Sequence, residues 1–309
     1  MTKISIVTPC YNAERYIDET ILSVITQKGD FEIEYFIMDG HSSDGTLEII
    51  QKFKEMIDSG SFVPSCRNVS LTFISEPDDG MYDALVKGFR RVTGDIVAYI
   101  NSDDYYQPNS FSAVERIFNG LPEVEWIVGM QLFYNEQGNV THTWLPYRYA
   151  RAWILKGMYG SILPFIQQES TFWRKGLLDR VDLDRLKTFR FAGDFYLWHT
   201  FAHYADLYAV RTLLGGFRTS SHQLSRQLDK YYEEFFSIAD PKRWSDVVVG
   251  HCLKVLLPFM SDEIKLNLDR KNIRYDGGTW RKTGKLFRRI RQYVQGSFER
   301  RGRDRKERG

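Results

Sequence analysis

Short apolar runs alternate with amphipathic stretches along the first 130 residues, and this alternation constrains the fold more than any other feature. The apolar runs have the length of buried strands and lie at residues 4–8, 34–38, 71–75, 96–100 and 126–130. Helical spacing occupies the stretches between them, at about 13–27, 44–57, 80–91 and 110–119. Strands joined through helices pair in parallel, because the helix carries the chain back across the sheet. The sequence therefore predicts an α/β fold with a mostly parallel sheet flanked by helices.

Beyond residue 216 the pattern becomes helical again. The stretches at 229–239, 243–257 and 262–272 are separated by Pro241 and Pro258, and proline interrupts a helix because it has no backbone N–H. We expect these stretches to form a C-terminal helical appendage.

Cysteine content and the N-terminal residues exclude several protein classes. The three cysteines Cys10, Cys66 and Cys252 form no paired pattern, so neither a disulfide framework nor a zinc site is indicated. The first residues enter a strand-like run without an export signal, and the longest apolar tract, 247–260, is too short to span a bilayer. These features predict a cytoplasmic protein.

Positive charge is concentrated at the end of the chain. Residues 281–309 contain 12 Lys and Arg against 3 Asp and Glu, whereas the whole chain has a net charge of only +2. A generally basic surface is therefore absent, which argues against a nucleic-acid partner. Apolar residues recur at helical spacing among the basic ones from Trp280 onward, so we predict that residues 280–309 contact an anionic membrane surface. Packing onto the rest of the protein is the alternative.

Two adjacent acids follow the fourth apolar run, in the segment Asn101-Ser102-Asp103-Asp104. Open α/β sheets bind ligands beyond the carboxyl ends of their strands, and neighbouring carboxylates repel each other unless a donor, water or cation compensates. Mg²⁺ and Mn²⁺ prefer such hard oxygen ligands and share them with phosphate oxygens. A metal-diphosphate site is one interpretation; an ordinary polar turn is the other.

Polar turns follow the first three apolar runs as well. The turn from Thr8 to Asn12 lies before a helix, where backbone amides can meet a nucleotide. Asp39 ends the second run and can accept the ring N–H of a base, whereas Asp44 suits helix capping. Asp78 lies in the third turn. Acidic turns at the ends of neighbouring strands indicate one shared crevice.

These motifs together resemble glycosyltransferase family 2. The similarity rests on four ordered blocks within residues 1–108, namely SIVTPCYNAERYIDETILSVITQ, MDGHSSDGT, SEPDDGMYDALVKG and TGDIVAYINSDDYYQP. The resemblance implies a GT-A, Rossmann-like fold, a nucleotide-sugar donor and inverting transfer of a hexosyl or acetylhexosaminyl group. Asn101 departs from the pattern, because many relatives have the first acid of the Asp-x-Asp motif there.

The resemblance also implies roles for individual residues. Thr8, Asp39 and Asp78 are expected to contact the nucleoside. The full nucleotide-sugar site is predicted to comprise Thr8, Pro9, Tyr11, Asn12, Asp39, Asp78, Ser102 and Asp103. Asp103 and Asp104 are the expected ligands of Mn²⁺ or Mg²⁺. The expected domains are a catalytic domain at 1–225, with a nucleotide-binding half at 1–108 and an acceptor half at 109–225, and C-terminal helices with the basic tail at 226–309.

The similarity continues less sharply through residues 167–174 and 191–198. In relatives the acid of the second of these blocks is the general base. Asp194 matches it, and an inverting transfer needs a carboxylate to take the proton of the attacking hydroxyl. Capping of a helix that begins at Phe195 is the alternative for Asp194, and Glu169 is the reserve candidate. Arg218 and the polar loop after it could offset diphosphate charge or form an ordinary loop.

Aromatic residues crowd the region 133–189, where core packing is the favoured interpretation and an acceptor cleft the alternative, because sugar rings dock on aromatic faces. The predicted function is metal-dependent transfer of a sugar, most simply from a UDP-sugar, to a hydroxyl of a growing lipid-linked surface glycan. The basic tail would place this enzyme on the inner face of the cytoplasmic membrane. A catalytically degenerate sugar-nucleotide-binding protein and a nucleotidyltransferase are the alternatives.

Overall fold

The computed structural model describes residues 1–146, 149–219, 227–261 and 271–282. Its strands are β1 (Thr2–Cys10), β2 (Phe31–Asp39), β3 (Asn68–Ser75), β4 (Ile96–Tyr99), β5 (Tyr105–Tyr106), β6 (Trp126–Tyr134), β7 (Val140–Trp144), β8 (Thr171–Arg174), β9 (Leu207–Leu213), β10 (Gly215–Arg218), β11 (Asn272–Asp276) and β12 (Thr279–Lys282). Its helices are α1 (Ile17–Ile25), α2 (Thr46–Asp58), α3 (Met81–Phe89), α4 (Ser110–Gly120), α5 (Arg151–Leu155), α6 (Met158–Ser161), α7 (Lys175–Leu178), α8 (Leu183–Leu186), α9 (Gly193–Tyr204), α10 (Leu228–Ile238) and α11 (Trp244–Leu256). In these described ranges, 3₁₀ turns cover Gln168–Ser170 and Leu257–Phe259. The α/β prediction is confirmed.

Most strands form one mixed sheet. Along the sheet the order is β3, β2, β1, β4, β8, β6, β9, β11 and β12 among the described residues. The first four of these strands are mutually parallel, whereas β8 runs antiparallel between β4 and β6. On the far side β9 is parallel to β6 and β11 to β9, and β12 closes the edge in antiparallel pairing. The predicted mostly parallel sheet is thus present, with antiparallel additions from the later part of the chain.

The sheet register brings the turns after the first strands together. Cys10 at the end of β1 pairs with Asp39 at the end of β2, and Asp39 pairs with Ser75 at the end of β3. On the other side of β1, Val7 pairs with Tyr99, the last residue of β4. All four strands therefore end at one edge, where the polar turns were predicted to form a crevice.

Burial on both faces explains why β1 and β4 read as continuous apolar runs. Ile4, Ile6 and Val7 of β1 and the whole of β4 are buried between helical layers. In the later part of the chain, Trp173 of β8 is fully buried and packs edge-on against Trp198 of α9 with ring centroids 5.8 Å apart. For Trp173, within the aromatic region 133–189, the favoured interpretation as core is confirmed.

Local backbone geometry moves some predicted helix boundaries. The first helix begins at Ile17 rather than near residue 13, because Asn12 has a left-handed φ of 47° and a turn follows it. The third begins after Gly80, whose φ is 113°.

The C-terminal segment departs from the predicted helical appendage. The α10 and α11 helices are present, but residues 272–276 and 279–282 are strands joined through Gly277 and Gly278, which have φ values of 57° and 92°. A pair of glycines with positive φ favours a tight hairpin, and Trp280 accordingly pairs with Tyr275 in β12 instead of starting a basic helix. Of the predicted helix at 262–272, Asn272 begins β11 instead, and residues 262–270 lie outside the described residues. The tail at 283–309 and the domain boundary at 225 also lie outside them.

The longest helices in the described ranges, α2 and α11, have 13 residues each. None of the helices that the structure describes is both long and apolar enough to cross a bilayer.

Candidate active site

The turn after β1 offers the exposed side chains of Tyr11 and Asn12 to a ligand. Thr8 is fully buried and Pro9 is buried beside it, so these two residues shape the floor of the crevice. Tyr11 is 65% exposed. Asn12 donates its backbone N–H to the Ser42 hydroxyl at 2.8 Å, which ties this turn to the next one.

Asp39 joins the turns of three strands. It is only 2% exposed, and its carboxylate accepts hydrogen bonds from the Ser42 backbone N–H at 3.0 Å and from the Ser75 hydroxyl at 2.6 Å. The thiol of Cys10 donates from 3.6 Å. A direct contact between Asp39 and a nucleoside stays a prediction; the geometry itself shows that Asp39 sets the shape of the crevice.

Asp78 lies against the turn after β2. Its Oδ1 accepts the Gly80 N–H at 2.8 Å, and a Cβ added to Gly40 would lie 2.6 Å from its Oδ2. Gly40 is therefore required for the close approach of the two turns. Burial raises the pKa of Asp78, with a smaller contribution from the negative charge of Asp39.

The two acids after β4 have different surroundings. Asp103 and Ser102 are partly exposed, whereas Asp104 is fully buried and its Oδ1 accepts the backbone N–H of Arg218 at 2.8 Å. Burial, followed by the charges of Asp103 and Glu169, raises the pKa of Asp104 well above its usual value. In the described part of the chain, no three His, Cys, Asp or Glu side chains converge as a complete protein metal site.

Arg218 supports this acidic turn from inside the fold. It is 1% exposed, its Nε donates to the Asp103 carbonyl oxygen at 2.9 Å, and its guanidinium pairs with Glu19. The guanidinium carbon also lies 4.3 Å from the centroid of the Tyr16 ring. The burial of Arg218 does not support a diphosphate contact, and its place in β10 does not support an ordinary loop. We call its contacts with Asp103, Asp104 and Glu19 the Arg218 clamp, because they hold the acidic turn from inside the fold.

Glu169 is a second buried acid near the turn. It is 3% exposed in the 3₁₀ turn Gln168–Ser170, and its Oε1 finds no hydrogen-bond donor among the described residues. Burial raises the pKa of Glu169 to about 7, with contributions from the charges of Asp103 and Asp194. These three carboxyl groups therefore share one neighbourhood.

Asp194 is the second residue of α9. The helix begins at Gly193, not at Phe195, so Asp194 lies inside the first turn and is not the N-cap residue. Its backbone N–H donates to the Tyr82 hydroxyl at 3.0 Å, and its Oδ1 accepts the Phe195 N–H at 2.7 Å. Burial raises the pKa of Asp194 to about 6.

A small cleft with a cavity volume of about 10 Å³, room for about one water molecule, opens beside Asp194. Its walls are largely apolar and aromatic, and include Phe165, Trp198 and Tyr231. Phe165 is 40% exposed, unlike the tryptophan core described above. The Tyr231 hydroxyl lies 3.5 Å from Asp194 Oδ1. The aromatic region therefore supplies both core and a cleft wall next to a carboxylate.

The sequence profile of the family described as glycosyl transferase family 2 matches residues 5–181, which is more than half of the 309 residues. The chain belongs to this family. The match ends before α9, so Asp194 and α10 lie beyond it.

Relatives of this glycosyltransferase are similar over part of their length. An uncharacterized glycosyltransferase of Nostoc sp. is 28% identical over 116 residues, which are 38% of this chain and 33% of that protein. The poly(ribitol-phosphate) β-N-acetylglucosaminyltransferase TarS of Staphylococcus aureus is 29% identical over 108 residues, which are 34% of this chain and 17% of TarS. The alignments thus span a third or less of each relative.

Solved structures of Staphylococcus aureus TarS have the same fold. One superposes with a TM-score of 0.55 at 16% identity, over 82% of this chain and 43% of that chain. Residues 1–349 of TarS in complex with UDP-GlcNAc superpose with a TM-score of 0.52 at 14% identity, over 82% of this chain and 73% of that chain. The predicted GT-A fold of this glycosyltransferase is confirmed.

The sequence motifs pointed to the acidic residues near the strand ends but not to the residues that contact them from distant parts of the chain. The structure places Asp39 and Asp78 at the ends of neighbouring strands, and Asp103 in the same neighbourhood as Asp194. Sequence reasoning missed Tyr231 and the buried role of Arg218. Both act through contacts with residues distant in the chain, so no local pattern indicates them.

Proposed function

We propose that this glycosyltransferase inverts the anomeric centre as it transfers a hexosyl or acetylhexosaminyl group from a UDP-sugar to a hydroxyl of a lipid-linked surface glycan. Family membership supports the reaction class. The complex of TarS with UDP-GlcNAc, on the same fold, supports the type of donor. The observation that carries the proposal is Asp194, a carboxylate with a pKa of about 6 at the wall of an aromatic-lined cleft.

We assign the donor to the edge formed by the ends of β1 to β4. Tyr11 and the partly exposed Asp78 offer side chains to the nucleoside, while the buried Thr8 and Asp39 hold the turns in place. Pro9, Asn12 and Ser102 complete the predicted set through the shape of these turns. The donor sugar would then lie toward Asp103.

The residues of the acidic turn fit a divalent cation of the Mg²⁺ or Mn²⁺ type. Such ions accept one or two carboxylates and take further oxygens from substrate phosphates, and Asp103 is a partly exposed carboxylate in an acidic neighbourhood. Asp103 would hold the ion. Asp104 as a second ligand stays a prediction; in the structure this side chain is buried and its Oδ1 accepts the Arg218 N–H. When bound, the ion would neutralise charge on the departing diphosphate.

Asp194 would supply the base for the chemical step. As the acceptor oxygen bonds to the anomeric carbon, its proton moves to the Asp194 carboxylate. The bond from the anomeric carbon to the diphosphate oxygen breaks, and its electron pair leaves with the diphosphate. Attack opposite to the leaving group inverts the centre. A carboxyl group with a pKa of about 6 is mostly ionised at pH 7 and still basic enough to accept the proton. The aromatic walls suit the apolar face of the acceptor sugar.

Asp194→Asn tests the assignment. We expect the variant to lose transfer by at least about 100-fold, because an amide cannot accept the proton, and to keep binding of UDP-GlcNAc with Mn²⁺, measured as a rise in Tm. Asp58→Asn, at an exposed end of α2, is the control and should behave as the unmodified protein. Turnover that survives in Asp194→Asn would exclude Asp194 as the base.

A further inference from the structure

The N-terminus of α9 is held by a carboxylate from another helix. The side chain of Glu234, in α10, accepts the backbone N–H groups of Arg190, Phe191 and Ala192 at 2.9, 2.8 and 2.8 Å. Ala192 is the N-cap residue of α9 and has no side chain that can accept a hydrogen bond. Glu234 thus binds the N-cap N–H and the two N–H groups before it, and so fixes the segment that leads into α9.

The same helix end is fixed on its other side by α3. A Cβ added to Gly193 would lie 2.5 Å from a ring atom of Tyr82, so the phenol packs directly on the helix backbone. The Tyr82 hydroxyl accepts the N–H of Asp194 and donates to the carbonyl oxygen of Phe191. With Glu234 on one side and Tyr82 on the other, the first turn of α9 is held between two neighbouring helices.

Packing makes α10 a rigid support. Phe235, the neighbour of Glu234, is fully buried and stacks on Phe195 of α9 with centroids 3.9 Å apart and an interplanar angle of 27°. Tyr231, one helical turn before Phe235, reaches the Asp194 carboxylate. Side chains three and four positions apart share a helix face, so Tyr231, Glu234 and Phe235 present one surface to α9.

We propose that Glu234 is a positioning residue that holds the first turn of α9, and with it the Asp194 carboxylate, against the acceptor cleft. The proposal rests on the base role given to Asp194 above, and it makes α10, which lies beyond the segment matched by the family, part of the active site. Charge-assisted hydrogen bonds to backbone N–H groups are short and strong, so their loss would displace the helix end.

The charge of Glu234 has a separate effect from its position. Asp194 faces Tyr82 from α3, Tyr231 and Glu234 from α10, and Glu169 from the 3₁₀ turn. Burial is the main cause of the raised pKa of Asp194, and the negative charge of Glu234 adds to it. Removal of the Glu234 charge should therefore lower the pKa of Asp194. A small displacement of the Glu234 carboxylate, with its charge kept, should leave this pKa nearly unchanged.

Two variants separate position from charge. Glu234→Gln keeps the shape and removes the charge; Glu234→Asp keeps the charge and withdraws the carboxylate by one methylene. We expect both to lower kcat for transfer from UDP-GlcNAc about tenfold or more, with an unchanged KM for the donor. Glu233→Gln, on the exposed neighbouring residue, is the matched control and should change neither constant.

A second readout needs no turnover. The quantity to measure is the free energy of unfolding of the protein minus that of the Asp194→Asn variant. This difference changes with pH only between the pKa of Asp194 in the unfolded state and its pKa in the folded state. The upper end of that pH range, here called the upper limit, therefore reports the folded pKa. Because the folded pKa is raised, this difference should fall as pH rises from about 4 to about 6 and stay level above.

In the Glu234→Gln background the comparison is with the double variant Glu234→Gln/Asp194→Asn, and the upper limit should move to lower pH. In the Glu234→Asp background it should stay near 6. Unchanged kcat in both variants together with an unmoved limit would overturn the role of Glu234. Turnover by Asp194→Asn would instead overturn the proposed function, so the two failures are distinguishable.

Discussion

At the scale of single residues, the site depends on carboxyl groups that the fold treats differently. Asp39 accepts hydrogen bonds from neighbouring turns, Asp104 is bonded to a backbone N–H, and Asp194 lies at a cleft wall with a raised pKa. The same functional group therefore serves as a structural link in two places and is proposed as a base in a third. Environment, not residue type, separates these roles.

The raised pKa of Asp194 predicts the pH dependence of transfer. The base must be ionised to accept a proton, and the protonated fraction grows as pH falls through the pKa of about 6. We therefore expect kcat/KM to be level above this value and to fall about tenfold per pH unit below it. UDP binding measured by calorimetry over the same range is the control. A rate that stays constant down to pH 4.5 would contradict the assignment.

Gly40 offers a test of the donor edge. In Gly40→Ala the new Cβ would lie 2.6 Å from Asp78 Oδ2, so this carboxylate or the turn after β2 must move. We expect UDP to bind about tenfold more weakly by calorimetry, equivalent to about 1.4 kcal/mol. Gly120→Ala is the matched control, because a Cβ there meets no described atom within 4 Å. Equal affinities in the two variants would remove these turns from the donor site.

At the scale of secondary-structure elements, local pattern predicted the first half of the sheet well and the second half poorly. β1 and β4 are buried on both faces and read directly as apolar runs. By contrast β8 and β10 owe their place in the sheet to pairing with distant strands. The Arg218 clamp was missed for the same reason, since its partners lie about a hundred or more residues away.

The hairpin between β11 and β12 is an element whose local signal was overlooked. Gly278 has a φ of 92°, and no described atom lies within 4 Å of an added Cβ, so Gly278→Ala changes backbone strain alone. We expect the free energy of unfolding in urea to fall by about 1 kcal/mol. Gly176→Ala, equally open but helical, should be neutral or stabilising. If both substitutions have the same effect, the left-handed turn is not a determinant of stability.

At the scale of the whole molecule, charge separates the catalytic region from the tail. Residues 281–309 carry 12 basic against 3 acidic side chains, while the neighbourhood of Asp103, Asp104, Glu169 and Asp194 is acidic. Contact of the tail with an anionic membrane would bring the cleft near a lipid-linked acceptor, and this remains our proposal for residues 283–309, which lie outside the described structure.

Deletion of residues 283–309 tests that proposal while leaving β12 intact. We expect the full chain to co-sediment with vesicles containing phosphatidylglycerol and the shortened chain to stay largely in the supernatant, because each basic residue near the surface contributes about 1 kcal/mol. Neutral phosphatidylcholine vesicles provide the control. Equal sedimentation of both chains with the anionic vesicles would show that the tail is not the contact.

The Arg218 clamp also bears on how the protein matures during synthesis. Its backbone N–H reaches Asp104 and its side chain reaches the Asp103 carbonyl oxygen, more than a hundred positions earlier in the chain. A nascent polypeptide can therefore assemble β1 to β4 while the acidic turn still lacks this clamp. Competence to bind the donor should then appear late on the ribosome, only once β10 has emerged from the exit tunnel.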